Sequence, residues 1–301
     1  MKKYLVIGNP IEHSLSPKLH NYWIKENNLD AVYEKKQINK DDIGGIVEEL
    51  KKGKIDGLNV TTPFKTSMVP YLDHGGLIPL AERPPEVYVG TSLEGKSVNT
   101  IFKQNNKIYA ANTDGSGFHD SLSFLNLKIK NKKIFVLGAG GVVFSIVAAL
   151  KWNGASKIYL SNRTKSKAEE IKKIHTNNNG KSIIELFNWE NLDKNLPEFD
   201  MIINATSLGL NKNDLIKLDY KSIGKNKVFY DLIYNAEGTD FLSKGLELGN
   251  SVYNGASMLI FQAARSFLIW HGINPLKEER LAGTINHVFP NFYNHNQTIE
   301  Q

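Results

Sequence analysis

Short apolar runs alternate with amphipathic stretches along most of the chain. Residues 4–8 (YLVIG) read as a strand. Ser16-Pro17 opens a helix, with serine as cap and proline in the first turn, running to about Asn28. Residues 31–38 predict a second strand, 41–52 a helix and 56–60 a third strand, which makes a first β-α-β-α-β unit. Residues 98–103 and 107–111 predict a hairpin turned by Gln104-Asn105-Asn106, and a helix follows from Asp114 to Leu125.

The pattern restarts at Lys133. Residues 133–137 are an apolar strand, then come Gly138-Ala139-Gly140-Gly141 and an apolar helix to Asn153. Residues 157–161 form the next strand, a helix starts after Thr164, and apolar runs at 200–204 and 228–232 complete the sheet. From Gly255 helical spacing returns, through Met258, Leu259, Gln262, Ala263, Ser266 and Phe267. This alternation predicts an α/β fold of two domains with parallel strands. The expected division is 1–116, a second domain over 117–250 of Rossmann type, and C-terminal helices over 251–301 returning to the first. Between Thr66 and Ser97 the four prolines and Gly75-Gly76 predict a short helix followed by an irregular excursion. The asparagine-rich tail after Phe292 is expected to fray.

Composition narrows the function classes. The 301 residues are 41% hydrophobic and 23% charged, the balance of a folded two-domain protein. With no cysteine, disulfides, thiol nucleophiles and thiolate metal sites are excluded. No stretch approaches the ~18 apolar residues of a membrane span. The apolar run after Lys2-Lys3 is too short for a signal peptide, so a cytoplasmic protein is expected. The net charge of +6, from 37 basic and 31 acidic residues, is mild and scattered. It does not indicate a nucleic-acid partner, and it suits small anionic substrates.

A strand, Gly-Ala-Gly-Gly and a helix form a dinucleotide-binding arrangement. Glycines let the backbone approach a pyrophosphate, and the helix start offers free N–H groups. Val143 stands where the pattern usually has Gly or Ala. The second strand ends in Asn162-Arg163-Thr164, with Lys165 and Lys167 behind, rather than in a carboxylate. An arginine fork with lysines and a hydroxyl suits a 2′-phosphate, so NADP is expected over NAD. The plain alternative leaves Thr164 as a helix cap and Arg163 as a solvated surface residue.

Four polar motifs fall at strand ends or helix starts of the first unit. They are Ser14-Leu15-Ser16-Pro17, Asn59-Val60-Thr61-Thr62-Pro63-Phe64-Lys65, Val98-Asn99-Thr100 and Asn112-Thr113-Asp114-Gly115. Singly, each has a structural explanation as a cap, a turn or a snorkelling lysine. Together they place hydroxyls and amides where open α/β sheets bind ligands, and they suit a small polyhydroxylated acid.

With these motifs the sequence resembles the shikimate dehydrogenase family. Further matching strings are Gly138 to Gly141, Asn162-Arg163-Thr164, Asn204-Ala205-Thr206, Asp231-Leu232-x-Tyr234, and Gly255 with Met258-Leu259 and Gln262; together they cover residues 4–272 in the family's order. The resemblance implies reversible, NADP-dependent reduction of 3-dehydroshikimate to shikimate, a step of aromatic amino-acid biosynthesis. It assigns Ser14 and Ser16 to the substrate carboxylate. Asn59, Thr61, Asn99, Asp114 and Gln262 go to the ring hydroxyls and reacting oxygen, with Tyr234 nearby. Lys65 is the implied acid/base, oriented by Asp114. Gly138, Ala139, Gly140, Gly141, Val142, Asn162, Arg163, Thr164, Lys165, Lys167, Thr206, Leu232, Gly255 and Met258 line the implied cofactor site. The expected assembly is a monomer or homodimer, with no nucleic-acid or membrane partner.

The chain departs from the family pattern in a longer Lys65–Asn99 stretch, in Ala236 where Tyr-x-Pro is usual, and in Val142-Val143. The histidines show no metal-ligand spacing, and His271 reads as a helix end before a glycine cap. Two alternatives stay open: a broader quinate/shikimate dehydrogenase, and a non-catalytic NADP-binding sensor.

Overall fold

The computed structural model describes residues 1–72, 97–177, 179–211, 213–235, 237–277, 280–292 and 296. Most of the proline-rich excursion (73–96), Ala236 and the tail beyond Phe292, apart from Asn296, lie outside the described residues. The chain divides into two compact units. One comprises Met1–Asp120 and Leu259–Val288, the other Ser121–Met258 and the described residues after Val288.

The first unit starts with β1 (Lys2–Gly8), α1 (Ser16–Glu26), β2 (Ala31–Gln37), α2 (Ile43–Lys51) and β3 (Gly57–Val60). Then come β4 (Thr100–Gln104), β5 (Lys107–Ala111) and α3 (Asp114–Phe124). The short helix expected after Thr66 is a single 3-10 turn, Val69–Tyr71. The strand order is β2-β1-β3-β4-β5. β1 pairs parallel with β2 and β3, whereas β4 runs antiparallel to β3 and β5. Leu5 and Ile7 of β1, Ile43, Ile46, Val47 and Leu50 of α2, and Leu58 and Val60 of β3 share one apolar core. Asn105 and Asn106 both have positive φ, 49° and 61°, which is the two-residue turn whose twist matches a hairpin.

That reversal positions the chemistry. Because β4 is antiparallel to β3, its start lies at the end of β3. Because β5 reverses again, its end lies there too. Asn99 and Asp114 therefore arrive at the sheet edge where β1 and β3 deliver the Ser14 and Lys65 segments.

The second unit contains β6 (Lys133–Leu137), α4 (Gly141–Trp152), β7 (Lys157–Ser161), α5 (Lys165–His175), β8 (Ile184–Phe187) and β9 (Met201–Asn204). It continues with α6 (Tyr220–Ile223), β10 (Val228–Asp231), α7 (Asp240–Glu247) and β11 (Ser251–Tyr253). Its six strands are ordered β11-β10-β9-β6-β7-β8 and pair parallel throughout. Read from β8, this is the doubly wound order 3-2-1-4-5-6, with its switch point between β6 and β9. Phe135, Leu137, Ile202, Phe229 and Phe241 lie in its core. β8 and β11 go beyond the sequence expectation, since IELF and SVY each contain a polar residue and offer no continuous apolar run.

α8 (Ala256–His271) and α9 (Arg280–Val288) follow. The boundary between the units falls inside α3 and inside α8. In the first unit, Trp270 packs on Tyr4, and Trp23 Nε1 donates to Thr284 Oγ1 at 3.0 Å. Arg265 grips Asp120 Oδ2 through Nε (3.2 Å) and Nη2 (2.9 Å), tying α8 to α3. Gly272, with φ +69°, ends α8 after His271, as expected. Among the described residues no helix is long and apolar enough to cross a membrane.

Candidate active site

The ends of β1 and β3 approach closely because residue 8 is glycine. A Cβ there would sit 2.6 Å from Thr61 Cγ2. Thr61 N donates to Ile7 O at 2.9 Å, and Phe64 N to Thr61 O at 2.9 Å, so Lys65 leaves a tight turn. Val98 N donates to Lys65 O at 3.0 Å and Asn99 N to Ala111 O at 3.1 Å. These bonds hold the segments bearing Lys65, Asn99 and Asp114 in register.

Lys65 Nζ donates to Asp114 Oδ2 at 2.6 Å, with the two side chains 13% and 5% exposed. Withdrawing an ion pair this far from water is costly, so extra hydrogen bonds must support it. Asp114 has two supports. It is the first residue of α3, where the helix dipole favours a carboxylate. Its Oδ1 accepts from Asn99 Nδ2 at 3.0 Å, and the same nitrogen reaches Gln262 Oε1 at 3.3 Å. Lys65, Asp114, Asn99 and Gln262 thus form one hydrogen-bonded cluster.

Ser14, Ser16 and Thr61 lie at the same sheet edge. The structure corrects the capping role expected for Ser16. The cap position is Leu15, with no side-chain cap bond, and Ser16 is the first helical residue. Capping therefore does not consume the Ser16 hydroxyl. Its backbone N–H points to Ser14 Oγ at 3.4 Å, bringing the two serines together.

Asn59 does not suit the ligand role expected for it. It is buried, and its Nδ2 donates to Asn99 O (2.8 Å), Ser266 Oγ (3.1 Å) and Thr100 Oγ1 (3.2 Å), while Oδ1 accepts from Tyr33 Oη (2.6 Å). Both amide hydrogens are committed inside the protein. Tyr234 belongs to the second unit, where its ring packs edge-on to Phe289 at 6.1 Å.

In the second unit, Gly138 follows β6 with φ +108°, and a Cβ there would lie 2.7 Å from Ala205 O. Only glycine lets these two backbones meet at the switch point. Gly140 precedes α4 with no side-chain cap, and a Cβ there would meet open space. The glycine turn thus leaves an uncapped helix N-terminus with room beside it, which fits a pyrophosphate. Arg163, Thr164, Lys165 and Lys167 are all exposed. Thr164 occupies the cap position of α5, yet its hydroxyl makes no cap bond and stays free for a ligand. Asn162 is more constrained, with Nδ2 donating to Thr164 O at 2.8 Å. Leu232 and Gly255 meet backbone to backbone, so closely that a Cβ on Gly255 would collide with Leu232 O. Met258 is buried.

Near the glycine turn, Thr206 of the expected cofactor set joins Asn204 and Asp231 in a polar network. Asp231 Oδ1 accepts from Asn204 Nδ2 (2.9 Å) and Ile233 N (3.0 Å), and Oδ2 accepts from Thr239 Oγ1 (2.7 Å). Burial nevertheless pushes the Asp231 carboxyl up to about 7. Asn204 Oδ1 in turn accepts from Thr206 N (3.0 Å) and Thr206 Oγ1 (2.7 Å). The network holds the strand end that abuts Gly138.

Tyr33, Thr100, Thr113 and Ser266 surround the Lys65–Asp114–Asn99–Gln262 cluster; Thr100 and Thr113 lie in the quoted polar motifs, but none of the four was assigned a site role. The available signal for Ser266 was a hydroxyl four residues after Gln262 on an otherwise apolar helix face. Among the described residues no group of three or more His, Asp or Glu could hold a metal ion.

The Rossmann strand order, the uncapped glycine turn and a buried lysine–carboxylate pair in a separate α/β unit define a two-unit dinucleotide-binding protein. Residues 6–77 match the shikimate dehydrogenase substrate binding domain, and residues 122–232 match shikimate / quinate 5-dehydrogenase. The chain is 47% identical over 275 residues to the shikimate dehydrogenase (NADP(+)) of Pelagibacter ubique (strain HTCC1062), spanning 91% of this chain and 95% of that protein. The crystal structure of shikimate dehydrogenase from Aquifex aeolicus superposes with a TM-score of 0.78 at 34% identity, covering 95% of this chain and 97% of that one. Shikimate 5-dehydrogenase from Listeria monocytogenes, solved with shikimate and NAD, gives 0.75 at 27% identity over 91% and 93% of the two chains. This chain belongs to the shikimate dehydrogenase family.

Proposed function

We propose that this chain catalyses the reversible, NADPH-dependent reduction of 3-dehydroshikimate to shikimate, in aromatic amino-acid biosynthesis. The observation that carries the reading is the Lys65–Asp114 pair, 2.6 Å apart, buried and supported by Asn99 and Gln262. Ketone reduction adds one hydride to carbon and one proton to oxygen. The nicotinamide, when bound, supplies the hydride. Lys65 stabilises the negative charge growing on the ketone oxygen and delivers the proton. Asp114 takes one of the three ammonium hydrogens and so aims the others. In the oxidative direction Lys65 accepts the hydroxyl proton.

Ser14 and Ser16 bind the substrate carboxylate through their hydroxyls, and Thr61, Asn99, Asp114 and Gln262 bind the ring hydroxyls, with Tyr234 an additional contact. Gly138, Ala139, Gly140, Gly141 and Val142 hold the pyrophosphate. Asn162, Arg163, Thr164, Lys165 and Lys167 receive the 2′-phosphate, and Thr206, Leu232, Gly255 and Met258 line the remainder. The first unit is the substrate domain and the second the cofactor domain. The protein acts in the cytoplasm as a monomer or homodimer, without nucleic-acid or membrane partners, a reading supported by its scattered lysines.

The test is spectrophotometric: reduction of NADP or NAD is followed with shikimate, with quinate and with neither. Shikimate with NADP is expected to be the best pair. Equal rates with quinate would mark a broader enzyme, NAD as the better acceptor would overturn the 2′-phosphate site, and no turnover with any pair would leave a sensor.

A further inference from the structure

Asn99 supports Asp114 only if its amide faces the right way. The two amide orientations have nearly the same shape, so its hydrogen-bond partners must choose between them. Thr113 N can only donate, and it lies 2.9 Å from Asn99 Oδ1. Thr100 Oγ1 donates to the same oxygen at 2.9 Å. With Oδ1 held on that side, Nδ2 faces Thr113 Oγ1 at 2.9 Å, Asp114 Oδ1 and Gln262 Oε1, each of which can accept. A reversed amide would set its oxygen against the carboxylate.

The Thr100 hydroxyl has one proton to give, and its other neighbours steer it. Asn59 Nδ2, an obligatory donor, lies 3.2 Å from Thr100 Oγ1 and 3.1 Å from Ser266 Oγ. The two hydroxyls are 2.7 Å apart. Tyr33 Oη orients Asn59 by donating to its Oδ1 at 2.6 Å. Tyr33, Asn59, Thr100, Ser266 and Asn99 are all buried, at 7% exposure or less, so water cannot substitute for a missing partner. The Ser266 hydroxyl reaches two acceptors, Thr100 Oγ1 and Gln262 O at 3.2 Å, and when it donates to Thr100 the Thr100 proton is left for Asn99 Oδ1.

We propose that Thr100 and Ser266 are positioning residues, which lock the Asn99 amide in the orientation that supports Asp114 and, through it, Lys65. The proposal rests on the Lys65 reading for its kinetic consequence, but the amide orientation can be read without activity. Thr100→Val removes the hydroxyl at nearly constant volume, Thr100→Ser keeps it, and Ser266→Ala removes the steering partner. Thermal unfolding identifies which variants fold.

In ¹⁵N NMR, the Asn99 side-chain amide resonance is expected to shift and to exchange faster with solvent in Thr100→Val and Ser266→Ala, but not in Thr100→Ser. In steady-state assays with shikimate and NADP, Thr100→Val is expected to lower kcat about ten-fold, on the scale of one buried hydrogen bond, with KM for NADP unmoved. In an Asn99→Ala background, Thr100→Val is expected to cost nothing further, because the two act through one contact. An unshifted Asn99 resonance in the folded variants, additive losses in the double variant, or the same loss in Thr100→Ser would overturn the proposal. A wild-type protein without shikimate turnover, but with the NMR response intact, would overturn the functional reading alone.

Discussion

Lys65 and Asp114 are most informative as a pair. An exposed lysine–aspartate contact contributes little, but here both groups are withdrawn from water and each needs the other. Lys65→Ala should therefore do two things. It should lower kcat by ~10²–10⁴-fold, the usual contribution of a positioned proton donor, and leave KM for NADP nearly unchanged. Steady-state kinetics checks both, and wild-type turnover would contradict the assignment. Arg163 is the residue proposed for the corresponding role toward the cofactor. It is exposed, and it stands where an NAD-binding fold usually has a carboxylate. Arg163→Ala is expected to raise KM for NADPH far more than for NADH. Equal changes would remove its 2′-phosphate role.

Elements carry these residues into place, and glycines set how closely the elements meet. The β4–β5 reversal brings Asn99 and Asp114 to the edge that β1 and β3 already share. α3 then packs on α8 at Gly117, where a Cβ would lie 2.5 Å from Gln262 Cβ and 2.6 Å from Gln262 N. Neither helix backbone can yield without moving Gln262 away from Asn99. Gly117→Ala should cost about 1–3 kcal/mol of stability, as overpacking does, measured by urea unfolding. It should also raise KM for shikimate, whereas a stability loss with unaltered kinetics would mean that Gln262 stays in place. Gly138→Ala tests the second unit in the same way. Its φ of +108° and the approach to Ala205 O leave no room for a methyl group, so NADP binding by calorimetry should be strongly weakened.

At the scale of the whole molecule, buried titratable groups set the acid limit. Burial lowers His20 to about 3, helped by His271, and lowers His175 and His271 to about 4. Each is neutral in the folded chain and gains a proton near its ordinary 6.5 when unfolded, so its stabilising effect is present above pH 6.5 and lost as the pH falls toward 4. Asp231 has the opposite sign. With its folded value raised to about 7, it disfavours folding progressively as the pH rises from 3.8 to 7. Three histidines outweigh one carboxylate, so the melting temperature should fall as the pH is lowered from 6.5 to 4. His20, stacked on Tyr33 at 4.1 Å with neither ring nitrogen hydrogen-bonded, is the simplest one to replace. His20→Phe should flatten that slope, and an unchanged slope would show that the acid sensitivity arises elsewhere.

Most of the architecture and reacting residues were legible from local pattern. Apolar runs of five residues, as at 133–137 and 157–161, suffice for buried parallel strands, and the glycine turn and Lys65 lie in motifs whose spacing survives in a linear reading. β8 and β11 were not legible, because IELF and SVY carry a polar residue in place of a continuous apolar run and are selected by the sheet edge they pair with. The sequence alone therefore determined the α/β alternation and the glycine turn, which depend on residue type and short-range spacing, and through its family resemblance it pointed to Lys65 as the proposed acid/base. Only the tertiary structure decided that Asn59 is committed inside the protein and that Ser266, more than two hundred residues away in the chain, shares its hydrogen bonds. Hydrogen-bond partnership depends on where the backbone finally places each donor and acceptor, and no local pattern encodes that distance.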